Sequence, residues 1–133
     1  MSFTDSNEVK KYLGGIFEAA FADAEIGPKL RDTGIVLKTI YTDPESILVI
    51  DTTTGEVTGG DESSASTATM RMSADTGNAY WQGKVNLPLA MAKSKIKVEG
   101  NVASLLKLAP LGRKLYPSYV AALQADGRDD LLV

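Results

Sequence analysis

Residues 80–110 read YWQGKVNLPLAMAKSKIKVEGNVASLLKLAP, from Tyr80 to Pro110. The segment begins as the end of a helix that Gly83 can stop. An apolar loop follows, then a strand, a Gly-Asn turn and an apolar helix. Leu87, Leu89, Met91, Leu105, Leu106 and Leu108 are concentrated here, and no catalytic pattern accompanies them. Soft apolar side chains in a loose setting suit a greasy ligand better than bond-making chemistry.

Upstream of this segment, Ser73 or Asp75 caps the helix that runs through Trp81. Before it, residues 66–73 (STATMRMS) alternate cleanly. Ala68, Met70 and Met72 face one way and Thr67, Thr69 and Arg71 the other, as in a half-buried strand. Residues 84–93 are expected to be irregular or to hold one turn after Pro88. Residues 94–99 form the last strand, with Ile96 and Val98 inward. Asn101 then caps a helix whose apolar side is Val102, Leu105, Leu106 and Ala109, with Leu108 off that stripe. Pro110 to Gly112 are expected to interrupt it, and a final helix starts near Pro117 with Tyr119, Val120 and Leu123 inward.

The first half opens with a long amphipathic helix, in which Val9, Leu13, Ile16, Phe17, Ala20, Phe21 and Ala24 recur at helical spacing behind an Asp5/Glu8 cap. Gly14-Gly15 inside it suggests close packing on a sheet, because each glycine costs about 1 kcal/mol against alanine in a helix. Gly27 is expected to stop this helix and Pro28 to begin a short second one. Strands follow at GIVLKTIYT and SILVIDT, separated by the turn Asp43-Pro44-Glu45-Ser46. The second is apolar on both faces, which predicts a strand covered on both sides. GEVTG is a short edge strand. The predicted order is α, α, β, β, β, β, α, β, α, α. It gives one α+β domain over residues 1–133, with a five-stranded, mainly antiparallel sheet covered by helices.

Composition narrows the function. The 133 residues contain no histidine and no cysteine. Cys/His zinc sites and triads that use a histidine base are therefore excluded, as are disulfides. Asp51 and Asp75 are the nearest candidates for carboxylate catalysis, but a strand end and a helix cap explain them as well. No metal site, cofactor or enzymatic activity is expected. The N-terminus MSFTDSNEVKK has neither the basic start nor the apolar centre of a signal peptide, and a cytoplasmic protein is the simplest expectation. Net charge is −3 but unevenly spread. Between Lys84 and Lys114 seven basic residues face Glu99 alone. Lys84, Lys93, Lys95 and Lys97 could meet an anionic membrane, although solvated strand and helix faces are the plainer account. Nucleic acid is a poor fit, since the basic stretch lacks interleaved surface aromatics.

From Ala68 to Leu111 the chain resembles the sterol carrier protein 2 (SCP-2) sterol-transfer family. Four features carry the likeness: TATMRMS, YWQGKVNLPLAMAKSK with Gly83-Lys84, IKVEGN with Gly100-Asn101, and VASLLKLAPL. IGPKLRDTG and YTDPES add weaker likeness to stand-alone bacterial members. The resemblance implies a five-stranded sheet packed with helices around an apolar tunnel that holds a sterol, fatty acid, fatty acyl-CoA or similar lipid. At the family's lining positions this chain has Met70, Met72, Tyr80, Trp81, Leu87, Leu89, Met91, Ile96, Leu105, Leu106, Leu115 and Tyr119. Ordinary core packing would account for any one of them. The alternative is a non-catalytic accessory subunit that presents a lipid-soluble intermediate to a partner enzyme. A homodimer is compatible with either.

Overall fold

The computed structural model describes residues 3–133; Met1 and Ser2, where the N-terminal reading begins, lie outside the described residues. The chain runs α1 (Ser6–Val9), a π-helical turn (Lys10–Gly14), α2 (Gly15–Ala22), α3 (Ile26–Thr33), β1 (Val36–Thr42), β2 (Ser46–Asp51), β3 (Glu56–Gly59), β4 (Ala68–Ser73), α4 (Ala74–Trp81), α5 (Leu87–Ala92), β5 (Lys97–Gly100), α6 (Val102–Arg113), α7 (Tyr116–Ala125) and a 3-10 turn (Asp129–Leu131). The strand order is β3-β2-β1-β4-β5. β1 and β4 pair in parallel, and every other pair is antiparallel. The expected five-stranded α+β sheet is therefore present, with one parallel pair at its centre.

α1, the π turn and α2 form the single amphipathic run read from the sequence. Asp5 starts it by accepting from the Glu8 amide at 2.9 Å. Of the glycine pair, only Gly14 faces the sheet: a Cβ there would lie in ordinary contact, 3.4 Å from Val57 Cγ1 and 3.6 Å from Leu48 Cδ1, whereas one at Gly15 would meet nothing within 4 Å. Gly27 does not stop this run. Asp23 Oδ1 accepts from the amides of Glu25 and Ile26 and begins α3, with Gly27 inside it. Glycine is required there because a Cβ would sit 2.6 Å from the Phe21 carbonyl oxygen.

The strand covered on both faces is β1, not β2. In β2, Ile47 and Val49 are only half-buried, whereas in β1 Lys38 and Ile40 are buried opposite the helix-facing side chains. The reason is the loop after β3, which folds over that outer face. Lys38 Nζ donates to the carbonyls of Glu62 at 2.8 Å and Ser64 at 2.9 Å. A buried ammonium is tolerated when such acceptors replace water.

Two further expectations change. Of the two alternatives for residues 84–93, the turn at Pro88 holds and is extended to a helix over residues 87–92, because Asn86 Oδ1 caps the Leu89 amide at 3.0 Å and Pro88 fits the first turn. The break expected at Pro110–Gly112 does not occur; α6 runs on to Arg113. An interior proline costs about 3 kcal/mol, yet burial of Leu105, Leu108 and Gly112 holds the helix down. At Gly112 the backbone approaches Trp81 so closely that a Cβ would be 3.5 Å from the ring.

Candidate functional site: an apolar pocket with a basic rim

Alternation along β1 and β4 places Leu37, Thr39 and Tyr41 beside Ala68, Met70 and Met72 on the helix-facing side. The register pairs Thr39 with Met70 and Tyr41 with Met72. Phe17 of α2, Leu30 of α3, Tyr80 and Trp81 of α4, Leu87 of α5, and Leu105, Leu108, Ala109 and Gly112 of α6 close over them, joined by Leu115. The pocket, partly open to solvent, has a volume of about 50 Å³, and none of its lining residues is acidic or basic. That is room for a few waters and far less than a lipid chain occupies. The interior space among the described residues is a narrow pocket, narrower than the expected lipid tunnel. Side chains from five helices and the sheet take up the rest of the space.

Seven of the expected residues meet at this pocket: Met70, Met72, Tyr80, Trp81, Leu87, Leu105 and Leu115. Five do not. Leu89 and Leu106 are each 52% exposed. The inward face of α6 is 105, 108, 109 and 112, with Leu108 in and Leu106 out. Met91 is half-buried against the core, outside the pocket, and Ile96 is fully packed just before β5. Tyr119 lines a separate cleft with Tyr12 and Asp126, and its hydroxyl donates to Asn78 Oδ1 at 2.6 Å. Its role is to brace α7 against α4.

Reading the sequence missed Phe17, Leu30, Leu37, Thr39, Tyr41, Leu108, Ala109 and Gly112. The alternation of Leu37, Thr39 and Tyr41 was visible in β1. The parallel pairing that sets them beside Met70 and Met72 joins residues some thirty positions apart and leaves no local trace.

Burial pushes the Tyr41 hydroxyl up to about 12, and burial with Tyr116 nearby raises Tyr80 as well. Both phenols are neutral at physiological pH, so the pocket carries no charge. The charge lies outside. A groove of about 520 Å³ shares Tyr80, Leu87 and Ala109 with the pocket and is lined also by Lys84, Leu106, Arg113 and Tyr116. A neighbouring groove contains Lys84, Leu89, Lys93 and Lys95. Among the described residues these four cations make no ion pair, whereas Lys114 pairs with Glu25 at 3.2 Å. Lys97 does not belong to this rim. It is the strand partner of Arg71, whose side chain bonds Glu62 and Glu99 on the sheet face away from the pocket. Asp51 is tied into its own turn by Thr53, and Asp75 is exposed in the first turn of α4, so neither carboxylate faces the pocket.

Residues 17–112 match the model of the SCP-2 sterol transfer family. With that match over most of its length, the chain belongs to this family. No curated protein matches its sequence. Among solved structures, the sterol carrier protein domain 2 of Helicoverpa armigera is similar at a TM-score of 0.70 and 24% identity, over 88% of this chain and 95% of that one. The sterol carrier protein-2 of Aedes aegypti, solved in complex with the fatty acid palmitate, is similar at a TM-score of 0.58 and 25% identity, over 85% and 97%. The UbiJ-SCP2 ubiquinone synthesis protein is similar at a TM-score of 0.60 and 11% identity, over 82% and 96%. At their identities the first and third of these establish likeness of fold alone.

Proposed function

We propose that this protein binds one lipid with its hydrocarbon body between sheet and helices, and exchanges it with an anionic membrane at the basic rim, without catalysis. The observation that carries this reading is a single continuous arrangement: an uncharged apolar pocket shares Tyr80, Leu87 and Ala109 with a groove bearing Lys84 and Arg113. An apolar chain belongs inside and an anionic headgroup outside, because charge in an unpaired apolar interior is heavily penalised. The palmitate held by the Aedes aegypti relative fits a hydrocarbon ligand here.

At about 50 Å³ the pocket must widen to admit such a chain. The α5–α6 side is the wall best suited to move. α5 is only six residues long, and Pro110 cannot donate to the Leu106 carbonyl of α6. Burying a sixteen-carbon chain gains roughly 11–12 kcal/mol gross, which covers a moderate cost of opening. A bilayer offers about the same 0.8 kcal/mol per methylene. Transfer in either direction is then close to balance, as carriage requires. The cysteine-free chain suits a reducing cytoplasm.

A second reading has its own observation. Leu89 and Leu106, each 52% exposed, flank the rim, and such apolar tips also suit a partner protein. In that case the domain would present its lipid to an enzyme, in keeping with the likeness to a ubiquinone synthesis protein.

Native mass spectrometry of the purified protein, with extraction and identification of any lipid, tests the first reading. Titration with fluorescent fatty acid and sterol probes accompanies it. One lipid per chain and saturable binding are expected. Lipid binding together with co-purification of a protein partner would favour the second reading, and no saturable binding across these classes would overturn the first.

A further inference from the structure

One polar atom in the pocket wall has no partner. Thr39 is 3% exposed, and its Oγ1 is the single buried side-chain nitrogen or oxygen among the described residues that makes no hydrogen bond. It sits at the middle of β1, on the pocket face, opposite Met70. The Tyr41 hydroxyl, two residues along, is the nearest polar group and is close enough for Thr39 to offset part of its burial shift, but the contact falls short of full hydrogen-bond geometry and leaves Thr39 Oγ1 without a well-formed partner. A buried hydroxyl without a partner destabilises a fold, and valine would fill the same shape without that cost. Apart from the neutral hydroxyls of Tyr41 and Tyr80, the wall offers no acceptor and no charge, being built of aliphatic, thioether and aromatic groups.

We infer that Thr39 Oγ1 is where the pocket recognises an uncharged oxygen, a hydroxyl or carbonyl, at the end of the lipid that enters first. The inference rests on the lipid-binding reading and sharpens it to neutral oxygen-bearing lipids. A carboxylate at Thr39 would be an unpaired charge, since no cation lines the pocket. An ionised fatty acid therefore enters tail first, with its head at Lys84 and Arg113, and leaves Thr39 unpaired. A fatty alcohol enters oxygen first and satisfies it. Threonine can donate to a carbonyl or accept from a hydroxyl, so one residue serves both.

The test uses diphenylhexatriene, which has no polar atom, as a pocket probe. It is displaced by hexadecanol, hexadecane or palmitate from the wild type, Thr39→Val and Thr39→Ser. In the wild type, hexadecanol displaces the probe about threefold to tenfold more effectively than hexadecane, the range a net hydrogen bond supplies. Thr39→Val abolishes that preference and Thr39→Ser retains it, each read as the ratio of hexadecanol to hexadecane displacement within the same variant. Lipid-free Thr39→Val melts a few degrees above the wild type, because an unpaired buried hydroxyl has been removed. The inference is overturned if Thr39→Val keeps the alcohol preference, or if it melts below the wild type, which would reveal a protein partner for the hydroxyl. If the wild type takes up diphenylhexatriene and palmitate but shows no alcohol preference, the role of Thr39 fails and lipid binding stands. If it takes up none of these compounds, both fail together.

Discussion

The Tyr119 hydroxyl donates to Asn78 Oδ1 at 2.6 Å, tying α7 to α4 in the buried interior. Asn78 is also the hub for the C-terminal tail. Its Nδ2 donates to the Leu131 carbonyl at 2.7 Å, and Gln82 Nε2 donates to the same carbonyl at 2.8 Å and to Asn78 Oδ1 at 3.0 Å. A buried amide holding three partners is costly to remove, because each is left unpaired in turn. Asn78→Leu should destabilise the protein by about 2–3 kcal/mol and Tyr119→Phe by about 1 kcal/mol. Urea denaturation followed by Trp81 fluorescence measures both. Hydrogen exchange at residues 131–133 should accelerate in the Asn78 variant well before global unfolding.

Ala109 stands where the pocket meets the groove and is half-buried. A phenyl ring there can swing into the opening without displacing the core. Ala109→Phe should lower affinity for a fluorescent fatty acid at least tenfold while leaving the urea midpoint nearly unchanged. An unaltered affinity would place the entrance elsewhere.

Electrostatics at the rim should be separable from the rest of the surface. The triple variant of Lys84, Lys93 and Lys95 to glutamine should slow lipid delivery to vesicles containing anionic lipid. It should have little effect with purely zwitterionic vesicles, where the attraction is absent. Raising salt should slow the wild type toward the variant. Lys97→Gln, on the opposite sheet face, should behave as wild type. Stopped-flow transfer of a fluorescent lipid reads all four cases.

A pH effect on stability arises where the chain's two ends meet. Arg128 holds the Glu8 carboxylate through a charged hydrogen bond, and the Thr4 amide donates to it at 2.8 Å. The Arg128 bond is the larger cause of a Glu8 pKa below its ordinary value. For a carboxylate so lowered, the stabilisation is fully present above the unfolded-state pKa. It is lost as pH falls through the lower folded-state value. The pair is partly exposed, with side chains 25% and 20% accessible, so its worth is modest. Glu8→Gln should cost about 1 kcal/mol at neutral pH. Paired urea curves at neutral and acidic pH should show that difference vanishing once Glu8 is protonated.

Much of this molecule was legible in one dimension. The caps at Asp5, Ser73 and Asn101 are local hydrogen bonds between residues three apart, so residue type and spacing were enough. Met70 and Met72 stood out by strand alternation, and Trp81 by its place at the end of a capped helix. Errors arose where a local rule met a distant partner. Pro110 signals a break, yet Trp81 lies close enough to Gly112 for packing to carry α6 past it. Gly27 looks like a helix stop, but its constraint is the Phe21 carbonyl. Leu106 and Leu108 exchanged places because packing of α6 against α3 and β4, not spacing along the chain, sets which side of the helix turns inward.

The amino-acid order alone determined the class of fold and most element types, and excluded histidine- or cysteine-based chemistry, since each follows from composition and from periods of two and 3.6 residues. Tertiary structure decided what faces the interior and how much room is left there. The parallel pairing of β1 with β4 brought Thr39 and Tyr41 to the pocket wall, and the course of α6 sorted its leucines between core and rim. Those outcomes depend on contacts between segments far apart in the chain, where the free energy of packing outweighs local propensity.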